Sequence, residues 1–173
     1  PRQPSQAADD QWWQRPAGRA LFDVLDTDVP GLPQPERSFR ISQTTQKRFS
    51  QVLNIFRTII KVDIDPTQYT QTKMKFTRDV YARPQVVLTI QSPNEKDFAA
   101  FVKKNSRSII DFLVKVEMNR QINELEEKHS EAVSQLAEEI FKCQLWAPAE
   151  IKSYKKGKDF FWASSNTASG LVN

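Results

Sequence analysis

The pattern of apolar and polar residues predicts a short helix, a strand-rich middle and a long helical stretch. After Pro16, apolar side chains recur every three or four residues, which predicts a helix over about 16–26. Three prolines within 26–37 fix φ and remove backbone donors, so we expect a stiff extended connector there. Alternating or β-branched residues, and one further helical pattern, predict strands near 38–43, 58–64, 74–82 and 85–91 and a helix over about 46–56.

A long helical pattern follows the last of these strands. Asn94, with Asp97 three residues later, is typical of a helix start, and no Pro or Gly occurs from there to Phe141. A single helix of this length would span about 70 Å, which is too long for a compact domain. Either it breaks near Asn119–Asn123, or its second half projects and packs on another surface, with a short coiled coil as one form of that packing.

The remaining sequence turns to β character, and Gly157 marks the turn of a predicted hairpin. We expect a disordered or altered segment over 1–12, an α+β domain over 13–143, and a hairpin segment over 144–173 that begins a further, truncated region. The strand–helix–strand order predicts a mostly antiparallel sheet packed against helices in a ferredoxin-like split layering.

Composition limits the classes of partner. The chain has 25 Lys+Arg against 21 Asp+Glu, a net charge of +4, and this mild excess does not predict a nucleic-acid partner. A lone Cys143 excludes a disulfide within the chain and is expected to be a small buried side chain. No apolar run reaches the about 20 residues of a membrane span, and no signal peptide is visible. Because the first residue is not Met, we expect a processed form or a fragment.

Two segments resemble metal-binding motifs, but each lacks a ligand that its motif requires. Asp26 and Asp28 begin like a calcium loop, but the closing position holds Arg37 where a bidentate Glu is needed. Glu126 and His129 have the spacing of half a di-iron motif, yet the chain has one histidine, so the second half is missing. We expect no metal or other cofactor, and His129 is predicted to be a helix-surface or seam residue.

Catalytic patterns are equally sparse. Four scattered glycines cannot form a phosphate-binding loop, no GxSxG occurs, and the single histidine lies fourteen residues before Cys143. No catalytic residue is therefore assigned. The sequence favours a non-catalytic protein, with a hydrolase using carboxylate or Ser/Thr chemistry as the alternative.

The best interaction candidate lies in the predicted hairpin, where lysines alternate with aromatic residues. Cations hold anionic groups, and flat aromatic faces stack on sugars or bases. The favoured alternative is a hairpin with a soluble lysine turn and a buried aromatic strand. The candidate ligand-binding residues are Lys155, Lys156, Lys158, Phe161 and Trp162.

Four strings together resemble a known family: RPAGRALFDVLDTDVPGLPQPERSFRI, DVYARPQVVLTIQSPNE, EMNRQI and GKDFFWASSNTA. The family is an uncharacterised domain-of-unknown-function group of predicted cell-envelope lipoproteins of Bacteroidetes-type bacteria. The resemblance runs from about Trp13 to Ala168 and covers the N-terminal half of such proteins. The ends differ, because QPSQAADDQ stands in place of a hydrophobic strand and the chain stops at GLVN.

The resemblance implies an envelope location, periplasmic or associated with the outer membrane, and no reaction. Membrane association would come only through a lipid anchor upstream of this chain. With the sparse catalytic residues, it predicts a protein that binds an envelope partner or a polymer such as a glycan. A third possibility is structural, with the 118–141 helix face docked on a missing C-terminal half.

Overall fold

A computed structural model describes residues 12–44 and 56–165 of the chain. A 3-10 turn at Trp12–Gln14 opens the described part. The helices are α1 (Pro16–Leu25), α2 (Glu95–Lys104), α3 (Ser106–Glu127) and α4 (Glu131–Phe141). The strands are β1 (Thr58–Ile64), β2 (Lys73–Arg78), β3 (Val86–Ser92), β4 (Ser153–Lys156) and β5 (Phe161–Ser164).

The chain divides into two compact units, and the boundary falls within α3. Unit 1 is Pro1–Val116 and contains β1, β2 and β3; unit 2 is Glu117–Asn173 and contains β4 and β5. Both sheets combine with helices, and two of the three strand pairings are antiparallel. The predicted α+β class with mostly antiparallel pairing is confirmed. The predicted domain limits at residues 12 and 143 stay a prediction.

The sheet of unit 1 has β3 in its centre, in the order β1-β3-β2. β1 runs parallel to β3 and β2 runs antiparallel to it. The connection from β1 to β2 crosses the end of β3, where the Asp65 N–H donates to the Ser92 carbonyl at 3.0 Å. At the end of the connection, just before β2, the hydroxyl of Thr72 lies 2.7 Å from the hydroxyl of Ser92. The predicted strands at 58–64 and 85–91 are confirmed.

The core of unit 1 lies between one face of this sheet and the helices α1, α2 and the first part of α3. Leu88 and Ile90 alternate along β3 toward the same face, as the period of a strand requires. Helix α1 begins with Pro16 at its first turn, and its apolar stripe is buried, which confirms the predicted helix. The buried members of this cluster are Trp12, Ala17, Leu21, Val24, Leu25, Leu88, Ile90, Phe98, Val102, Ile109 and Leu113.

The long helical stretch is broken in two places. Asn94 caps α2 by accepting from the Asp97 N–H at 2.8 Å, as predicted. Asn105 ends α2, where its side-chain amide donates to the Phe101 carbonyl at 2.8 Å. The second break separates α3 from α4 at 128–130, so the predicted break near Asn119–Asn123 is wrong because those residues lie inside α3.

The segment before β1 differs from its prediction. Residues 26–37 form no extended connector, because the Val29 N–H donates to the Glu36 carbonyl at 2.8 Å and the chain doubles back. Residues 38–43 form no strand either. Phe39 and Ile41 pack against the core, which explains the alternating pattern without a ladder partner. The ferredoxin-like layering therefore lacks its predicted first strand.

Two further predictions meet limits here. β2 ends at Arg78 rather than at residue 82, because Asp79 adopts a φ of 55° that a strand cannot continue through. The predicted helix over 46–56 and the predicted disorder over 1–12 fall almost wholly on residues outside the described part.

In unit 2 the chain after α4 returns along the start of that helix. The Ser130 N–H donates to the Ala147 carbonyl at 2.9 Å, and the Ser130 hydroxyl donates to the Ile151 carbonyl at 2.9 Å. The Ser134 hydroxyl donates to the Leu145 carbonyl at 2.7 Å. Together with an antiparallel bridge between His129 and Pro148, these bonds attach the segment to the start of α4. No helix in the described residues is long and apolar enough to cross a bilayer.

Candidate functional site

The candidate site is the hairpin of unit 2, whose predicted existence and turn are confirmed. β4 pairs antiparallel with β5, and the Gly157 N–H donates to the Phe160 carbonyl at 2.8 Å across the turn. The ring of Phe160 lies over Gly157, where a Cβ would stand 2.3 Å from the nearest ring carbon. Glycine therefore lets this ring close over the turn.

The register of the hairpin divides the candidate residues between two faces. Lys155 lies opposite Trp162, and Lys156 lies opposite Phe161. Directly opposed residues share a face of an antiparallel pair, and successive residues alternate between faces. Lys155 and Trp162 therefore share one face, which we call the outer face. Lys156 and Phe161 share the other, the inner face.

The inner face is engaged by helix α4. The Lys156 ammonium forms an ion pair with the Glu139 carboxylate, and the rings of Phe161 and Phe141 have centroids 6.0 Å apart. The hydrogen bond and charge of Lys156 hold the pKa of Glu139 below its usual 4.5. Lys156 and Phe161 thus attach the hairpin to the helix.

The outer face presents its groups to solvent. Trp162 is 52% exposed, although it lies in the middle of a strand, and Lys155 beside it is exposed. Lys158 is exposed within the turn. The structure therefore brings Lys155 and Trp162 together, and Lys158 lies in the turn that joins the two strands. The binding role of all five candidates stays a prediction.

The exposures of the aromatic side chains test one of the two interpretations of the hairpin, the buried aromatic strand. A buried aromatic strand would hide all three rings, but Phe160 is 62% exposed and only Phe161 is partly buried. Tyr154, on the inner face, is 49% exposed. The predicted buried aromatic strand therefore describes Phe161, which is partly buried, and not Trp162.

Sequence reasoning missed the two helix residues that hold the hairpin. Glu139 lies 17 residues before Lys156, and Phe141 lies 20 before Phe161. Neither spacing carries a periodic signal, because α4 and the hairpin are separate elements. The only available signal was the unusual run of large aromatics in a short hairpin, which needs a surface to pack on.

The calcium-like segment has a structural role. Asp26 forms an ion pair with Arg37, the residue that occupies the closing position of the failed calcium loop. Asp28 and Arg37 are also bridged through their backbones. The arginine whose charge rules out the calcium motif thus closes the loop itself.

Two other residues lie away from their predicted places. His129 follows the end of α3 and stacks on Trp146 at 5.8 Å between ring centroids, so of the two predicted positions, helix surface or seam, the helix-surface one is wrong. Its Nδ1 lies 2.9 Å from the Leu125 carbonyl. Cys143 is exposed rather than buried, because Lys142 turns into the left-handed region and the chain leaves the helix there. Both corrections concern the ends of helices.

A shallow cleft in unit 1 bears on the enzyme alternative. Its volume is about 350 Å³, and Asp23 and Asp26 are among the residues that line it. Asp23 pairs with Arg19, and Asp26 pairs with Arg37. Both carboxylates thus have an arginine partner, and the hydrolase alternative stays a prediction. In residues 12–44 and 56–165, no three His, Cys, Asp or Glu side chains are grouped to hold a metal ion.

Comparison with known proteins identifies a family. The model of a family described as "Domain of unknown function (DUF8532)" matches residues 7–126, more than half of the chain. No curated protein and no solved structure matches the chain. The hairpin lies beyond the matched residues.

Proposed function

The chain belongs to the DUF8532 family, a domain of unknown function, and we propose that it is a non-catalytic protein that binds a polymer, in the first instance a glycan. The observation that carries the proposal is the outer face of the hairpin. Trp162 stands half-exposed there beside Lys155, while the inner face is fastened to α4.

The chemistry of this pair suits a sugar chain. An indole ring offers a flat apolar face for a pyranose ring and an N–H donor at its edge. An ammonium group next to it binds a carboxylate or sulfate on the same chain. A hairpin anchored on its inner face loses little conformational freedom on binding, which favours affinity.

The finer features of the proposal concern location. We propose that the protein is located in the cell envelope and is a Bacteroidetes-type lipoprotein. The support is the resemblance of the four sequence strings. An envelope partner protein is the second kind of ligand that this location allows.

The proposal is tested by thermal unfolding and titration calorimetry with a panel of soluble neutral and acidic glycans. A ligand that binds only the native state should add about 2.7 kcal/mol of stability at a concentration about 100 times its dissociation constant. Loss of the indole in Trp162→Ala should weaken binding at least about fivefold. Tyr154→Ala removes an aromatic ring from the inner face and is the matched control, with binding unchanged.

The outcomes separate the alternatives. Equal weakening by both substitutions would remove the outer face from the proposal. Release of reducing ends from a bound glycan would replace the binding protein with the hydrolase alternative. If no glycan raises the unfolding temperature, the polymer proposal fails.

A further inference from the structure

A second surface in unit 1 lies at one end of the sheet, where β1 and β3 begin and β2 ends. Thr58 of β1 and Arg78 of β2 both pair with Val86, the first residue of β3. Arg57 and the loop over 79–85 therefore meet at this end. We call this the Arg-Tyr surface; it consists of Phe56, Arg57, Arg78, Val80, Tyr81 and Arg83.

The surface is held in shape by one buried side chain. Gln85 is 2% exposed, and its side-chain amide donates to the Phe56 carbonyl at 2.8 Å and accepts from the Tyr81 N–H at 3.1 Å. Its backbone N–H donates to the Asp79 carboxylate at 3.0 Å. Gln85 thus ties the start of β1 to the β2–β3 loop.

Arg57 adds a second tie. Its guanidinium donates to the Arg83 carbonyl at 3.1 Å, so the loop is also held from the side of β1. A loop fixed before binding loses less conformational entropy when a partner arrives. The loop at this end of the sheet is therefore preorganised for binding.

The charges of the surface are one-sided. Arg57, Arg78 and Arg83 are exposed, and none forms an ion pair with a carboxylate in the part of the chain that the structure describes. The one carboxylate of the loop, Asp79, accepts from the Gln85 N–H instead. Three exposed arginines therefore lie at this end of the sheet, with the carboxylate of Asp79 among them.

Apolar groups stand among these charges. Val80 is 47% exposed and Tyr81 is 40% exposed, and Phe56 is also exposed. Arg and Tyr are among the residue types enriched where protein partners bind, and exposed apolar side chains beside them supply the dry centre of such a contact. A phosphate backbone would gain nothing from the isopropyl group of Val80.

We propose that the Arg-Tyr surface binds an acidic segment of a partner protein. The partner's carboxylates bind the guanidinium groups of Arg78 and Arg83, and its apolar side chains pack on Val80 and Phe56. The surface lies within the residues matched by the family model, whereas the glycan proposal concerns residues beyond them. The two proposals are therefore independent.

The test uses a fluorescent synthetic peptide of alternating glutamate and leucine, with polarisation as the readout and the full chain as the receptor. The Arg78→Gln, Arg83→Gln double variant should bind about a hundredfold more weakly, about tenfold for each guanidinium removed. The matched control is Lys61→Gln, Lys75→Gln, which removes two exposed charges from β1 and β2 of the same sheet. Its affinity should stay within about twofold of the parent.

Two further probes decide the chemistry. Val80→Ser should weaken the glutamate–leucine peptide and leave poly-glutamate unchanged, because only the first has apolar side chains. Polyphosphate of matched charge should bind more weakly than the peptide. The proposal is overturned if polyphosphate binds better, if both double variants lose affinity equally, or if the peptide shows no binding up to about 1 mM.

Discussion

The two units use their large apolar side chains in different ways. In unit 1, Trp12 and Phe98 are buried and pack with rings 6.4 Å apart at the centre of a core. In unit 2, the fully or nearly buried apolar residues are small or aliphatic, whereas Trp146 and Trp162 stand at the surface. Trp12 and its neighbour Trp13 in unit 1 thus pack with other rings, whereas Trp162 of unit 2 is 52% exposed.

This contrast explains why the two proposed surfaces look different. The Arg-Tyr surface of unit 1 is one end of a packed sheet, shaped by the buried amide of Gln85. The hairpin of unit 2 has only two strands and gains support from Lys156 and Phe161. A small sheet needs such support, because an isolated hairpin is barely stable in water.

The largest expected effect comes from comparing the loss of stability caused by one core substitution in each unit. Phe98→Ala should lower the free energy of unfolding by about 3–5 kcal/mol, because it opens a cavity among Trp12, Leu88 and their neighbours. Leu136→Ala in α4 should cost about 2 kcal/mol, near the low end for such changes, because Leu136 is at the margin of a smaller core. Urea unfolding followed by circular dichroism measures both. A larger loss for Leu136→Ala would reverse the assignment of the main core.

The glycines give a second comparison. A Cβ on Gly18 would stand 2.0 Å from the Trp12 carbonyl oxygen, so Gly18→Ala must move buried backbone and should cost about 1–3 kcal/mol. On Gly157 the clash is with the exposed ring of Phe160, which can swing away. Gly157→Ala should therefore change stability by less than about 0.5 kcal/mol. Thermal unfolding of the two variants side by side measures this difference, and equal losses would show that the turn is as constrained as the core.

A third test concerns the buried amide of unit 1. Gln85→Leu keeps the bulk but leaves the Tyr81 N–H and the Phe56 carbonyl without their partner, at a cost of about 1–3 kcal/mol. It should also weaken the glutamate–leucine peptide, although Gln85 itself is buried. The exposed Gln121→Leu in α3 is the control and should leave peptide affinity unchanged. Unchanged affinity in Gln85→Leu would mean that the loop keeps its shape without the amide.

The smallest effect is expected at the ion pair of the hairpin. Because Lys156 lowers the pKa of Glu139, the pair stabilises the fold above pH 4.5, and the contribution is lost as pH falls through the lower pKa of the folded state. The parent should melt slightly above Glu139→Gln at neutral pH, and the difference should vanish in acid, once pH has fallen below the lowered pKa of Glu139 in the folded state. Melting temperatures of the two proteins across this range test it. A difference that persists in acid would show that Glu139 acts through something other than its charge.

Local signals predicted local features well. Pro16 and the apolar stripe after it located α1, Asn94 and Asp97 located the start of α2, and Gly157 located the hairpin turn. Each of these depends on a few neighbouring residues. The β-branched strands β1 and β3 were located for the same reason.

Features that depend on distant partners could not be predicted. Phe39 and Ile41 alternate with polar residues as in a strand, but they pack against the core and form no strand. The arginines of the Arg-Tyr surface come from three places in the sequence and meet only because β1 and β2 flank β3. In the hairpin, Glu139 decides which face stays open, and nothing near Lys156 indicates it.

The central position of β3 also has a consequence for synthesis. β1 and β2 leave the ribosome before β3, yet they do not pair with each other, and each has β3 as its neighbour. The sheet of unit 1 therefore cannot assemble from its N-terminal end. Nascent chains stalled just before Val86 should remain sensitive to protease across β1, whereas chains extended past Ser92 and clear of the exit tunnel should become resistant. Protection of β1 in the shorter chains would contradict this order of assembly.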